Sequence, residues 1–359
     1  MTRSRAVSPA PEFSPRQRRT EQIVVHVLWM TSGLGCDGDT VALTAATNPS
    51  LEDLLRGAIP GTPRIMLYNP WTAVESGEAF VRHWYDAESG RLDPFVLVLE
   101  GSVPNESLSG EGHWSGFGVD PDTQQPIPIT TWIDRLAPTA AAIVAIGTCA
   151  AYGGVPAMRN NPTGAMGVAD YLGHDWTSRA GLPIINLPGC PVQPDTITET
   201  LLYLMMRLAG ITPDLDLDEQ GRPRWLFDRT VHERCDRVGL AERGDFAEDF
   251  NGRGCLVKLG CKGPVVKCSV PTRGWINGIG GCPNVGGICT GCTSPGFPDR
   301  FTPFMETGRL GRLAATPGRF VYGPAMRYLR DRAMRSHYEV EPAWRRRTVR
   351  HETGYIARW

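Results

Sequence analysis

The chain has 359 residues, 41% of them hydrophobic, and a formal net charge of −1. This length predicts one large or two smaller globular domains, and the near-neutral charge argues against a nucleic-acid partner. No run approaches the roughly 18 apolar residues of a membrane helix. The ten cysteines, with no evident export signal around Arg18-Arg19, predict a cytoplasmic protein whose reduced thiols bind metal.

The chain begins with residues 1–20, which are rich in Ser, Pro and Arg and predict a flexible segment. After them, short apolar runs alternate with amphipathic stretches, a pattern typical of an α/β fold with a doubly wound parallel sheet. The predicted strands are 23–30, 64–68, 94–99, 141–146 and 183–187. The predicted helices include 40–46, 77–85, 130–136 and 195–208.

Three isolated cysteines follow predicted strands. Cys36, Cys149 and Cys190 each lie in a glycine-containing loop directly after a strand. Ligands of open α/β sheets bind beyond the carboxyl ends of the strands, so a shared site is favoured over three separate buried thiols. Glu100 ends the third strand at the same edge. A role in positioning the site and a helix-capping or salt-bridging role both remain open for it.

The pattern changes near residue 216, where helical periodicity fades and Gly and Pro become more frequent. We therefore predict a first domain over 21–215, a second over 216–315 and an Arg-rich extension over 316–359. The second domain carries eight soft ligands, enough for two four-coordinate metal centres. Structural zinc and iron–sulfur clusters remain open for this segment alone. The eight are His232, Cys235, Cys255, Cys261, Cys268, Cys282, Cys289 and Cys292.

Several motifs together resemble one protein family. They are the Cys36 loop, EGSVP at 100–104, GTCAAYGG at 147–154, PGCP at 188–191, HxxC from His232, Cys-x5-Cys from Cys255, and CTGC from Cys289. This combination, spanning about 23–304, resembles the small, electron-transferring subunit of [NiFe] hydrogenases. In that family a flavodoxin-like domain carries the proximal iron–sulfur cluster, and a second domain carries the medial and distal clusters.

The resemblance implies a ligand set for each cluster. The proximal set is Cys36, Asp39, Cys149 and Cys190; the medial set is Cys268, Cys282, Cys289 and Cys292; the distal set is His232, Cys235, Cys255 and Cys261. Asp39 replaces the second cysteine of the family's CxxC motif, and Asp37 remains an alternative ligand. Cys282 stands near a non-ligating proline of common members, so a medial [4Fe–4S] or [3Fe–4S] cluster remains open.

The resemblance also implies an activity and partners. The expected enzyme oxidises H2 to protons and electrons at a Ni–Fe centre on a partner large subunit, and this chain passes the electrons through its clusters to an unknown acceptor. A dimer or higher assembly of heterodimers is expected.

The departures from common members point to a subgroup. Asp39, the absence of two extra proximal cysteines and the lack of an evident anchor resemble the actinobacterial-type, high-affinity uptake hydrogenases. Two alternatives remain: a related iron–sulfur subunit of a quinone-reductase-type complex, which resembles only the first domain, and a zinc-stabilised interaction module.

Overall fold

The computed structural model describes residues 24–31, 34–250 and 252–305. Its strands, in chain order, are β1 Val24–Thr31, β2 Arg64–Tyr68, β3 Phe95–Glu100, β4 Gly116–Val119, β5 Pro126–Pro128, β6 Ala142–Ile146 and β7 Ile185–Leu187. Five of them form a parallel sheet in the order β2-β1-β3-β6-β7. The predicted α/β class and doubly wound sheet are confirmed. Successive strands are added towards one edge of the sheet before β3 and towards the other edge from β3 onwards, so the topological switch point lies between β1 and β3.

The longer helices cover the two faces of this sheet. In chain order the helices are α1 Gly38–Leu43, α2 Leu51–Arg56, α3 Glu78–Glu88, α4 Ile129–Leu136, α5 Gly147–Tyr152, α6 Val168–Leu172, α7 Pro194–Leu208, α8 Arg224–Phe227, α9 Val231–Arg234, α10 Val238–Glu242 and α11 Val270–Arg273. Alternate residues of β1 enter two separate cores. Trp29 packs in the core that includes α2 and α7, while Met30 packs in the core that includes α3 and α4.

Helix α2 and the hairpin of β4 and β5 were not among the elements predicted from the sequence. Helix α2 has only six residues, too few for a clear helical period, but a capping box between Ser50 and Asp53 defines its start. The hairpin of β4 and β5 is short and irregular in register. Helix α1 also begins two residues before its predicted start. Both α2 and the hairpin lie away from the candidate ligands in sequence.

The region after α8 contains short helices and turns around a small core. Val231, Val266, Phe297 and Phe301 are buried there together with Cys289. The predicted segments 1–20 and 316–359 lie outside the described residues. The domain bounds stay predictions. Among the described helices, none combines the length and apolar character needed to cross a membrane.

Candidate metal-cluster sites

The predicted proximal residues meet at the carboxyl edge of the sheet. Cys36 lies between β1 and α1, Cys149 lies in α5 directly after β6, and Cys190 follows β7. Cys190 interacts electrostatically with Cys36 and Asp39, and Cys149 interacts with Cys190 and Asp39. The structure therefore brings all four side chains together, as expected for loops at one edge of an open sheet.

Asp39 is buried and directed towards these thiols. Its Oδ1 accepts a hydrogen bond of 2.7 Å from the backbone N–H of Val192, next to the Cys190 loop. Burial and repulsion from Glu100 raise the pKa of Asp39 to about 7, and the Val192 bond partly offsets this. Asp37 instead occupies a left-handed turn with φ of 54° before α1. Asp39 is the carboxylate that interacts with Cys149 and Cys190, and its role as a ligand stays a prediction.

Glu100 holds the start of α1 in place. Its Oε1 accepts hydrogen bonds from the backbone N–H groups of Asp39 (2.9 Å) and Thr40 (3.1 Å). Its Oε2 accepts from Trp29 Nε1 at 2.8 Å and from the Thr40 hydroxyl. Free N–H groups at a helix start favour a carboxylate. The two interpretations left open for Glu100 are therefore compatible: it satisfies the start of α1 and thereby positions Asp39.

The predicted distal residues surround one cavity. His232, Cys235, Cys255 and Cys261 line it together with Arg237. A capping box between Thr230 and Glu233 begins α9, which carries His232.

Arg237 fixes the opposite wall of the same cavity. Its Nη1 donates to the carbonyl oxygens of Gly252 (3.0 Å) and Gly254 (2.7 Å), which lead into Cys255. Burial raises the pKa of the Cys255 thiol to about 11.

The predicted medial residues surround a second cavity. Cys268, Cys282, Cys289 and Cys292 line it. Burial raises the pKa of Cys268 to about 11, and burial with neighbouring thiols raises the pKa values of Cys289 and Cys292. Cys282 is the exposed member of the group. Sequence analysis placed Cys282 here, and the structure brings it to the other three.

Hydrogen bonds join the proximal group to the medial group and the medial group to the distal group. The hydroxyl of Thr148, the residue before Cys149 of the proximal group, donates to the carbonyl oxygen of Cys292 in the medial group. The backbone N–H of Cys289, in the medial group, donates to Cys261 Sγ, in the distal group, at 3.3 Å. The proximal group is therefore joined to the medial group, and the medial group to the distal group.

The donor set fits iron–sulfur clusters. All ten cysteines are free thiols, and thiolates are the usual ligands of such clusters, with an occasional histidine. Burial opposes ionisation of the nine thiols from Cys149 to Cys292, so a bound metal would stabilise their thiolates and release protons. Within the described ranges, no three Cys, His, Asp or Glu side chains are placed to hold one metal ion. The medial and distal side chains instead line cavities.

Curated relatives share most of the chain. It is 33% identical to the periplasmic [NiFeSe] hydrogenase small subunit of Desulfomicrobium baculatum, over 77% of this chain and 86% of the relative. It is 32% identical to the periplasmic [NiFe] hydrogenase small subunit of Solidesulfovibrio fructosivorans, over 84% of this chain and 89% of the relative. The chain belongs to the small-subunit family of [NiFe] hydrogenases. A hydrogenase small subunit implies a large-subunit partner.

A solved structure supports the predicted subgroup resemblance. An actinobacterial-type NiFe-hydrogenase from Ralstonia eutropha H16 is 56% identical, with a TM-score of 0.82, and covers 93% of this chain and 97% of that chain. The family model for the C-terminal region of NiFe/NiFeSe hydrogenase small subunits matches residues 227–305. The model for the 20 kDa subunit of NADH ubiquinone oxidoreductase matches residues 36–204. The quinone-reductase alternative is therefore limited to the sheet region and is not favoured.

The predicted cytoplasmic location is wrong by this comparison. Both hydrogenase small subunits from D. baculatum and S. fructosivorans are named periplasmic. The prediction depended on reduced cysteines and on the residues around Arg18-Arg19, which lie outside the described residues. Thiols held by a metal are compatible with an oxidising compartment, so cysteine use does not decide the location.

The sequence analysis did not identify several residues that contact the candidate ligand loops. The Thr148 hydroxyl donates to the carbonyl oxygen of Cys292. The buried side chains of Asp218 and Arg222 form an ion pair, with Nη2 to Oδ2 of 2.7 Å, and Arg222 Nη1 donates to Thr293 O at 3.2 Å. The bonds from Thr148 to Cys292 and from Arg222 to Thr293 join residues far apart in sequence, so spacing alone does not reveal them.

Gly147 sets the room available to the Asp39 carboxylate. Gly147 has φ of +85°, and a Cβ there would overlap Asp39 Oδ2. We expect Gly147→Ala to displace this carboxylate and reduce proximal iron, measured as iron content of the purified complex. Gly61→Ala is the matched control, because Gly61 has φ of +79° but open space around it. Both changes carry a left-handed penalty of about 1–2 kcal/mol. Equal iron loss in both variants would contradict the role of the overlap.

Proposed function

We propose that this chain is the electron-transfer subunit of a [NiFe] hydrogenase. Its partner large subunit oxidises H2 to two protons and two electrons, and this chain conducts the electrons to an acceptor. The observation that carries the proposal is the unbroken row of proximal, medial and distal ligand groups. Hydrogen bonds from Thr148, beside Cys149, to Cys292 and from Cys289 to Cys261 join neighbouring groups in that row.

Each group has the donors for one cluster. The proximal set of Cys36, Asp39, Cys149 and Cys190 would hold a [4Fe–4S] cluster, and the distal His232, Cys235, Cys255 and Cys261 another. The medial Cys268, Cys282, Cys289 and Cys292 would hold a third. Such clusters supply one-electron redox chemistry when bound, with potentials set by ligands, hydrogen bonds and exposure. Neutral His232 in place of an anionic thiolate raises the distal potential relative to an all-cysteine site.

The zinc-stabilised module is the weaker alternative. A structural zinc site needs four ligands around one point. Here the medial and distal side chains line cavities, and a third group lies at the sheet edge in contact with the medial one. A binding module without redox function has no need for three adjoining groups of soft ligands.

The carboxyl edge of the sheet is the proposed face for the large subunit. Cys36 and Cys190 are exposed there. Trp71, three residues after β2, is 62% exposed, and Val41 on α1 is 55% exposed. Apolar side chains beside candidate ligands indicate a surface that a partner covers. A heterodimer, or a dimer of heterodimers, would bury this face and exclude solvent from the proximal residues.

The test is co-expression with the large subunit and assay of H2-dependent reduction of an artificial one-electron dye. We expect activity in the complex and none in this chain alone. Cys149→Ala should abolish dye reduction while nickel stays bound to the partner, because the proximal group then lacks one of its ligands. Dye reduction by this chain alone, or unchanged dye reduction in the Cys149→Ala complex, would contradict the proposed function.

A further inference from the structure

The Thr148 hydroxyl connects the proximal and medial ligand groups. Thr148 is 1% exposed and directly precedes Cys149 at the start of α5. Its hydroxyl donates to the carbonyl oxygen of Cys292, and its backbone N–H donates to Gly189 O at 2.8 Å, next to Cys190. Thr148 thus links the loop after β6 to the loop after β7 through its backbone N–H and to a medial ligand through its side chain.

The same medial loop is fixed from a second direction. Arg222, buried and paired with Asp218, donates to the carbonyl oxygen of Thr293 at 3.2 Å. The Thr293 hydroxyl donates to Lys267 O at 2.8 Å, one residue before Cys268. The turn that contains Arg222 is itself bound to the sheet.

Asn186 of β7 makes that attachment. Its backbone N–H donates to Gly221 O and its Nδ2 to Gln220 O, both at 2.8 Å. The backbone of the Cys292 loop is therefore held by the sheet, through Thr148 on one side and through Asn186 and Arg222 on the other.

We propose that Thr148 is a positioning residue that fixes the separation between the proximal and medial cluster positions. The proposal rests on the electron-transfer function proposed above. In the step concerned, one electron leaves the proximal position, which is oxidised, and enters the medial position, which is reduced. No bond forms or breaks, and the electron comes from H2 oxidised on the large subunit. Because electron-transfer rates fall steeply with distance, a looser Cys292 loop slows the step.

The test compares Thr148→Val and Thr148→Ser in the complete complex with its large subunit. Valine keeps the shape of threonine but has no hydroxyl donor, whereas serine keeps the donor. We expect Thr148→Val to weaken the magnetic interaction between the reduced proximal and medial clusters in EPR spectra. It should also slow electron transfer between them after rapid reduction. Thr148→Ser should resemble the unmodified complex in both measurements.

A matched control separates this effect from the loss of any buried hydroxyl. Thr200 is fully buried in α7, and its hydroxyl donates to Thr196 O at 2.8 Å. Thr200→Val should leave the inter-cluster interaction unchanged. Loss of medial iron with proximal iron retained in Thr148→Val would also support the proposal, because the medial ligand is then no longer held.

Two results would overturn the inference. One is full iron content with unchanged magnetic interaction and transfer rate in Thr148→Val. The other is loss of all clusters together, which indicates a general role in folding. Neither result concerns the proposed function, which is tested separately by the iron–sulfur content and the H2-dependent dye reduction of the unmodified and Cys149→Ala complexes.

Discussion

Replacement of Asp39 by alanine should remove about four of about twelve iron atoms, or leave the proximal cluster with an open coordination position. Asp39 is buried beside Cys149 and Cys190, and its carboxylate accepts a hydrogen bond from Val192. Alanine offers no donor atom for the fourth position. The measurement is iron content of the complex with an EPR redox titration.

Cysteine at the same position gives a different expectation. Thiolate is a softer ligand than carboxylate and binds iron in these clusters more commonly. We expect Asp39→Cys to keep the iron content and to shift the midpoint potential of the proximal cluster. Asp37→Ala is the control, since Asp37 lies in the left-handed turn before α1. A perturbed proximal cluster in Asp37→Ala, with none in Asp39→Ala, would assign the ligand to the other carboxylate.

Replacement of Cys282 by alanine should convert the medial cluster. The four medial cysteines line one cavity, and Cys282 is the exposed member. Three remaining cysteines suit a [3Fe–4S] cluster, so one iron atom should be lost and the medial potential should shift with cluster type. The expected signature is a [3Fe–4S] EPR signal in the oxidised complex, absent from the unmodified protein.

Val285→Ala provides the control for the Cys282 experiment. Val285 is exposed in the same loop, with 71% of its surface accessible, and carries no ligand atom. Its replacement should change neither iron content nor the EPR spectrum. A [3Fe–4S] signal already present in the unmodified oxidised complex would mean that Cys282 does not bind iron.

The sequence predicted the sheet well, and the described structure places the candidate ligands of each predicted group near one another. Near-continuous apolar runs separated by amphipathic stretches are sufficient for a parallel sheet, and the five central strands lie within about two residues of prediction. Cys36, Cys149 and Cys190 were placed together because each follows a strand of that sheet. The assignment of ligands to three separate groups depended on family resemblance, because spacing alone left zinc open.

The contacts between the groups could not be predicted. Thr148 and Cys292 are 144 positions apart, and nothing in the local sequence of either residue indicates the other. The burial of the Arg222 side chain could not be predicted either, because it depends on the ion pair with Asp218 and on the hydrogen bond to the Thr293 carbonyl oxygen. The prediction of a cytoplasmic location was wrong for another reason: cellular location is independent of the fold and of the metal chemistry.

Metal analysis of the purified complex, combined with EPR spectroscopy, tests the central claim most directly. Ten cysteines, Asp39 and His232 provide ligands for three four-coordinate clusters. We predict about twelve iron atoms assigned to this chain, no stoichiometric zinc, and spectra of three interacting iron–sulfur clusters. A colourless chain that contains two zinc ions and no iron would contradict the account.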